Sequence, residues 1–420
     1  MMVKKTLAVA LGAMLVAGSA AAVEVNQGGK GDLLIAPMFM VKNGWQSELK
    51  VINTSVTDSA VAKVVFHAPG RSDEVLDFLI FLSPGDVWTG SVVENANGTV
   101  GVKSDDASSI TVANAGACPD SQGVSGFNPE QAQFTMPVSM GYVNVFQSRM
   151  MRGLPVQPDG TVNKADILKA YSAACVANTP IEDADTDNVL TGSVTMSNPL
   201  NGNQLTLGMT ALADYNNRTY LSVGGLTAFA TNIADASKQQ VEDALWARDF
   251  AVPYNVSAGN MSFATITFPT KETFNLSLNS QYSAFFPAIN DRERDIGTAV
   301  PVGYDIRDEE EHKVGTVGCS FSPCTPNETV SLPREFNIVQ FIAGEGDSNA
   351  GVVYTKGFNK GWANIAIATD VSDTRSNANY NNFGQQGVPA LATYIHWDMT
   401  GGSLQGTWQY AAKTYRPAAN

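Results

Sequence analysis

Short apolar runs, broken about every ten residues by Gly, Pro, Asn or Asp clusters, dominate the chain from residue 33 onward and predict the strands of β-sandwiches. Leu33 to Val41 and Ser47 to Asn53 flank the turn signal Asn43-Gly44 and read as a β-hairpin. Ala62 to Phe66, Val75 to Leu82 and Val87 to Val93 follow as strands. The run from Val75 to Leu82 is almost wholly apolar, which suits a strand covered on both faces or a contact edge. Asp77 interrupts it and reads as a solvated residue near the strand start. Farther on, Gly192 to Ser197 and Gln204 to Thr210 bracket a second turn signal, Asn201-Gly202. Strands are also expected at Phe336 to Ile342, Gly351 to Tyr354, Trp362 to Ala368, Leu391 to Met399 and Leu404 to Tyr410.

Two stretches carry helical spacing instead. Asn163 to Cys175 places Ile167, Leu168, Ala170 and Tyr171 on one side, with Asn163 as N-cap. Ser237 to Phe250 opens with the capping box Ser237/Gln240, continues with the stripe Val241, Ala244 and Leu245, and meets a block at Pro253. A weak repeat links the two halves of the chain. Asp32 to Pro37, the turn at Asn43-Gly44 and Leu49 to Asn53 are echoed by Asp249 to Tyr254, Gly259-Asn260 and Ala264 to Phe268.

The pattern predicts a mainly β chain of two sandwich halves with a small helical insertion. Its expected segments are a signal peptide (1–22), an N-terminal sandwich part (23–115), a disulfide-tied helical insertion (116–190), a hairpin with a connecting helix (191–248) and a C-terminal sandwich (249–420).

Composition narrows the function classes. Of 420 residues, 44% are hydrophobic and only 16% charged, which excludes global disorder. The net charge of −14 repels phosphate backbones, so a nucleic-acid partner is not expected. Lys4-Lys5, the apolar stretch Leu7 to Ala17 and the small residues Gly18 to Ala22 form a secretory signal with cleavage before Val23. Cleavage removes two lysines, leaving 24 basic residues against 40 acidic ones, a charge of −16. No later run reaches the roughly 20 apolar residues of a spanning helix. The first cysteine is Cys118, far from the cleavage site, so a lipoprotein anchor is not expected. The chain is thus expected in the periplasm, at the cell surface or outside the cell. Four cysteines suit that address, and of three possible connectivities the expected one joins Cys118 with Cys175 and Cys319 with Cys324. A zinc or redox role for Cys319 and Cys324 lacks a second pair, and His312 stands nearest.

Catalytic signatures are missing. There is no G-x-S-x-G, no H-E-x-x-H and no glycine-rich phosphate loop, and His67, His312 and His396 are far apart in sequence. Acid pairs for glycoside hydrolysis are numerous, but nothing selects one. Asp183, Asp185 and Asp187 alternate as the oxygen ligands of a Ca²⁺ loop would, outside the EF-hand pattern. Asp305, Asp308, Glu309, Glu310 and Glu311 form a denser cluster that reads first as a solvated turn and second as a metal site. Trp45, Trp88, Trp362, Trp397 and Trp408 lie in or beside expected strands, where core packing competes with a sugar-binding face.

Gly44-Trp45, Val51 to Ser55, Ala62 to Phe66 and Val75 to Trp88 resemble a segment of uncharacterised exported bacterial surface proteins, similar in design to immunoglobulin-like modules. The resemblance covers roughly residues 31 to 93 and implies immunoglobulin-like halves and a surface address, with no reaction attached. The reading is an exported, non-enzymatic envelope or extracellular protein with a structural, adhesive or surface-assembly role. It would meet protein partners or copies of itself, through apolar segments such as Phe78 to Leu82. The alternative is a secreted polysaccharide-binding protein or glycoside hydrolase.

Overall fold

The apolar runs form strands in two β-sandwiches, antiparallel but for one edge pair. The computed structural model describes residues 23–70, 74–106, 108–111, 133–177, 187–215, 235–247, 249–271, 299–312, 329–367, 388–399 and 403–410. The first sandwich comprises β1 (Glu24–Val25), β2 (Leu33–Met40), β3 (Gln46–Asn53), β4 (Ser59–His67), β5 (Glu74–Leu82), β6 (Val87–Glu94), β7 (Val100–Lys103), β8 (Ser109–Thr111), β9 (Gln133–Met136), β10 (Met140–Met151), β11 (Leu190–Asn198), β12 (Asn203–Gly208) and β13 (Thr210–Ala213). One sheet runs β1-β13-β2-β10-β4-β5-β8 and the other β12-β11-β3-β6-β7-β9. Helix α1 (Lys164–Val176) lies between β10 and β11 in sequence. Segment 116–190, read from sequence as an insertion, therefore supplies β10, which sits between β2 and β4 in the middle of a sheet.

The second sandwich follows helix α2 (Asp235–Leu245) and β14 (Trp246–Ala247). It contains β15 (Asp249–Asn255), β16 (Asn260–Thr267), β17 (Val300–Asp308), β18 (Thr329–Leu332), β19 (Phe336–Ile342), β20 (Val352–Tyr354), β21 (Lys360–Ile367), β22 (Val388–Pro389), β23 (Leu391–Asp398) and β24 (Ser403–Tyr410). Its sheets run β15-β21-β17-β18 and β20-β19-β16-β23-β24, while β14 and β22 form a small ribbon. Helix α2 ends at Leu245, earlier than its apolar spacing predicts, because Trp246 and Ala247 pair with Pro389 and Val388.

The expected hairpin at 33–53 does not form. β2 and β3 lie in opposite sheets, and residues 41–45 arch between the layers. The cause is visible in burial: β2 is buried almost throughout, whereas β3 alternates buried and exposed positions, as a strand with one solvated face must.

The repeat is deeper than its sequence suggests. The order β2-β10-β4-β5 matches β15-β21-β17-β18, and β12-β11-β3-β6-β7 matches β24-β23-β16-β19-β20. The match differs at one edge, where β20 runs parallel to β19 while β7 is antiparallel to β6. Both arches are tied alike. Ser47 Oγ accepts from Met40 N (2.9 Å) and donates to Met40 O (2.8 Å), and Ser262 Oγ does the same with Asn255 (2.9 and 3.0 Å). Gly141 opposes Phe39, and Gly361 opposes Tyr254. A Cβ on Gly141 would lie 2.0 Å from His67 O, and one on Gly361 1.9 Å from Arg307 O, so both positions require the bare backbone.

Helix α1 begins as its N-cap predicts, with Asn163 Oδ1 accepting Ala165 N–H at 2.9 Å. It covers the outer face of the first sheet: Ile167, Leu168 and Tyr171 pack on Val61, Leu79, Phe81 and Ile110. Phe78 to Leu82 is thus buried on both faces and offers no partner a contact, contrary to the surface role read from its hydrophobicity. Asp77 is not solvated either, since its carboxylate pairs with buried Lys63 at 2.6 Å.

The two sandwiches are packed together. Phe336, Leu391 and Ile395 of the second join the apolar core of the first, with Val241, Ala244 and Leu245 of α2. Trp45 and Trp397 meet edge to face across the seam at 6.3 Å, and Phe336 N–H donates to Pro69 O at 3.1 Å. No helix among the described residues is long and apolar enough to cross a membrane.

Candidate functional site

The duplication points to one face. In the first sandwich, cross-strand partners His67 and Tyr142 stack with ring centroids 4.6 Å apart, and Asn144 lies one row on, its amide 3.1 Å from His67 Nε2. All three are buried. In the second sandwich, Arg307 and Trp362 occupy the matching cross-strand position, and Asn364 matches Asn144. Here the row is open: Trp362, Asn364, Asp305 and Arg307 are half-buried, and Ala251 and Pro253 beside them are exposed.

Strand alternation builds this face. Tyr304, Ile306, Ala363 and Ile365 point into the core, so Asp305, Arg307, Trp362 and Asn364 point out. The Arg307 guanidinium lies 5.1 Å from the Trp362 ring centre and 3.1 Å from Asp305 Oδ2, which fixes the ring and neutralises the cation. Behind them, Tyr254 Oη donates to Arg307 O at 2.8 Å. Burial first, and the Asp308 carboxylate second, push the Tyr254 phenol above its ordinary pKa, so it keeps the proton it donates.

The next turn adds a second group of side chains. Asp308 Oδ1 accepts the N–H groups of Glu310 (3.0 Å) and His312 (2.7 Å), while Oδ2 lies 2.9 Å from His312 Nδ1. Desolvation works upward on the Asp308 carboxyl, but the donors of His312 and Glu310 outweigh it and hold the group below the usual carboxylate range. One donor atom from each of Asp308, Glu310 and His312 lies within 4.8 Å of the others. The acid-rich turn and Trp362, separate in sequence, therefore share one end of the second sandwich.

Other expected residues are placed elsewhere. Asp187 Oδ2 binds Arg152 at 2.6 Å on the surface, and Asp183 and Asp185 lie outside the described residues, so the Ca²⁺ loop stays an expectation. Cys118, Cys319 and Cys324 also lie outside them, as does the side chain of Cys175, whose backbone is in α1. Trp88 is buried, with Nε1 donating to Ser109 Oγ at 3.0 Å, so it lines no groove. The Trp408 side chain is not described. The three histidines have different partners: His67 stacks on Tyr142, His312 faces Asp308, and His396 Nε2 contacts Asn260 Oδ1 at 2.8 Å. Sequence did hold a signal for the open face that periodicity alone misses. Gly141-Tyr142-Val143-Asn144 and Gly361-Trp362-Ala363-Asn364 are the same tetrapeptide in outline.

No family model matches the chain, and no curated protein matches it. One solved structure, of an uncharacterized protein from Burkholderia cenocepacia, aligns over 89% of this chain and 84% of its own at 8% identity, with a TM-score of 0.17.

Proposed function

We propose that the chain is an exported, non-enzymatic protein of the envelope or cell exterior, with a structural or adhesive role exercised through the outer face of the second sandwich. The observation that carries this reading is the asymmetry between the repeats: the row His67–Tyr142–Asn144 is buried, and its counterpart Arg307–Trp362–Asn364 is open. A half-buried aromatic ring flanked by planar polar groups on an open sheet face suits recognition of a partner. The apolar seam supports the reading further, since it ties the two sandwiches together. The secretory leader at 1–22 supplies the address.

Trp362 also favours a second reading, a secreted polysaccharide binder, because an aromatic ring beside Asp305, Arg307 and Asn364 can stack on a sugar and bond its hydroxyls. Fractionation of the source cells, followed by attachment assays with Trp362→Ala, tests both. The adhesive role requires a chain outside the cytoplasm starting at Val23, and lost attachment in the variant. A cytoplasmic chain, or full attachment with Trp362→Ala, overturns it. Soluble polysaccharide that competes with attachment selects the second reading.

A further inference from the structure

We infer that Asp308, Glu310 and His312 form a binding site for a divalent transition ion of the zinc class. The three donors come from alternate residues of one turn, and their ligand atoms already lie within 4.8 Å of one another. Zinc-class ions hold nitrogen and oxygen donors at about 2.0–2.2 Å, so small side-chain rotations bring all three onto one centre. Neighbouring donors around a tetrahedral ion of this class lie about 3.3 Å apart, so the 2.9 Å hydrogen bond between Asp308 Oδ2 and His312 Nδ1 needs to open by only a few tenths of an ångström as the ion replaces its proton.

The backbone presets this arrangement. Glu311 takes a left-handed φ of 66°, which reverses the chain and returns residue 312 over residue 308. Asp308 N–H then donates to His312 O at 3.2 Å. Because Asp308 Oδ1 is bonded to two backbone N–H groups, Oδ2 is left facing the imidazole. On the other side, Gly361 opposes Asp308 and allows β21 to approach closely.

The donor set selects the ion. Calcium takes oxygen ligands, six to eight of them, whereas an imidazole with two carboxylates suits Zn²⁺, Ni²⁺ or Co²⁺. This site is therefore distinct in chemistry from the oxygen-only loop expected at Asp183, Asp185 and Asp187. Glu309 and Glu311 flank it and add attraction for a cation. Three protein donors leave coordination positions open for water or for a donor from a partner.

The test is titration of the untagged exported chain with Zn²⁺ alone by calorimetry, and with Co²⁺ read by its visible spectrum. The expected result is saturable binding and a Co²⁺ spectrum without a thiolate charge-transfer band. His312→Ala and Asp308→Ala should each weaken it by more than about tenfold. Joint replacement of Cys319→Ser and Cys324→Ser should leave it unchanged. His312 is 74% exposed, so His312→Ala should not disturb folding, which circular dichroism checks. Absent binding, binding indifferent to His312→Ala, or binding lost only in the cysteine variant would each overturn the assignment.

Discussion

Lys63 Nζ stands 2.6 Å from Asp77 Oδ2 across β4 and β5, and the lysine is only 2% exposed. An ammonium so deeply placed is tolerable only beside an opposite charge. Removing one partner of such a pair costs more than the pair itself contributes, because the other charge stays buried. Asp77→Ala should therefore lower stability by about 3–5 kcal/mol in urea unfolding. The double change Lys63→Met with Asp77→Leu should recover most of that loss. A double variant no better than the single one would mean that the pair stabilises on its own account.

A second carboxylate gives a pH signature. Asp32 is 2% exposed, and burial raises its pKa well above the ordinary value against the opposing pull of backbone donors such as Tyr215 N–H at 2.8 Å. The folded chain then holds a proton that the unfolded chain releases, so stability falls as pH rises from the unfolded value near about 3.9 through the folded one. Asp32→Asn keeps the acceptor and removes the charge. It should raise the Tm near neutral pH, with the gain vanishing toward about pH 4. A gain independent of pH would exclude this mechanism.

The matched arches predict matched losses. Ser47→Ala and Ser262→Ala each strip both hydrogen bonds from a backbone N–H and C=O at the sheet-to-sheet crossing. Each should destabilise by about 1–3 kcal/mol, measured by denaturant midpoint at constant slope. A large loss at one site and none at the other would show that the arches serve different ends.

The seam predicts joint unfolding. Phe336 and Ile395 lie in the core of the first sandwich although the second supplies them. Scanning calorimetry should show one transition for the native chain. Ile395→Asp places a charge in that apolar contact and should split the trace into two. Two transitions already present in the native chain would show that the seam does not couple the halves.

Much of the fold could be read from periodicity, because apolar runs and breaker clusters are local signals. β3, β5, β6 and α1 fall within a residue or two of their expected ranges. Sheet membership was not local. Asn43-Gly44 looks the same whether it closes a hairpin or an arch, and only the distant partners of the two strands, β10 and β13 for β2 and β6 and β11 for β3, decide between them. Asp77 was misread for the same reason, since its counter-ion sits on the neighbouring strand. The acid-rich turn at 305–311 and Trp362 were each visible in sequence, but their meeting depends on the pairing of β17 with β21.

The burial of β2 holds a further consequence, for assembly of the chain. Between its pairs Phe39–Gly141 and Ala36–Val143, β2 has one residue more than β10, while β15 pairs with β21 without any shift. Tandem domains of one topology are prone to exchange strands during folding. Register would not prevent this, because the surplus residue belongs to β2 and not to β10: β15 could face β10 in regular pairing, with Val252 opposite Val143 and Tyr254 opposite Gly141, as it faces β21. What separates the two slots is burial: Asp249, Ala251 and Pro253 are exposed in β15, whereas β2 is buried almost throughout, so the exchange would put the Asp249 carboxylate into an apolar place and each sandwich keeps its own first strand.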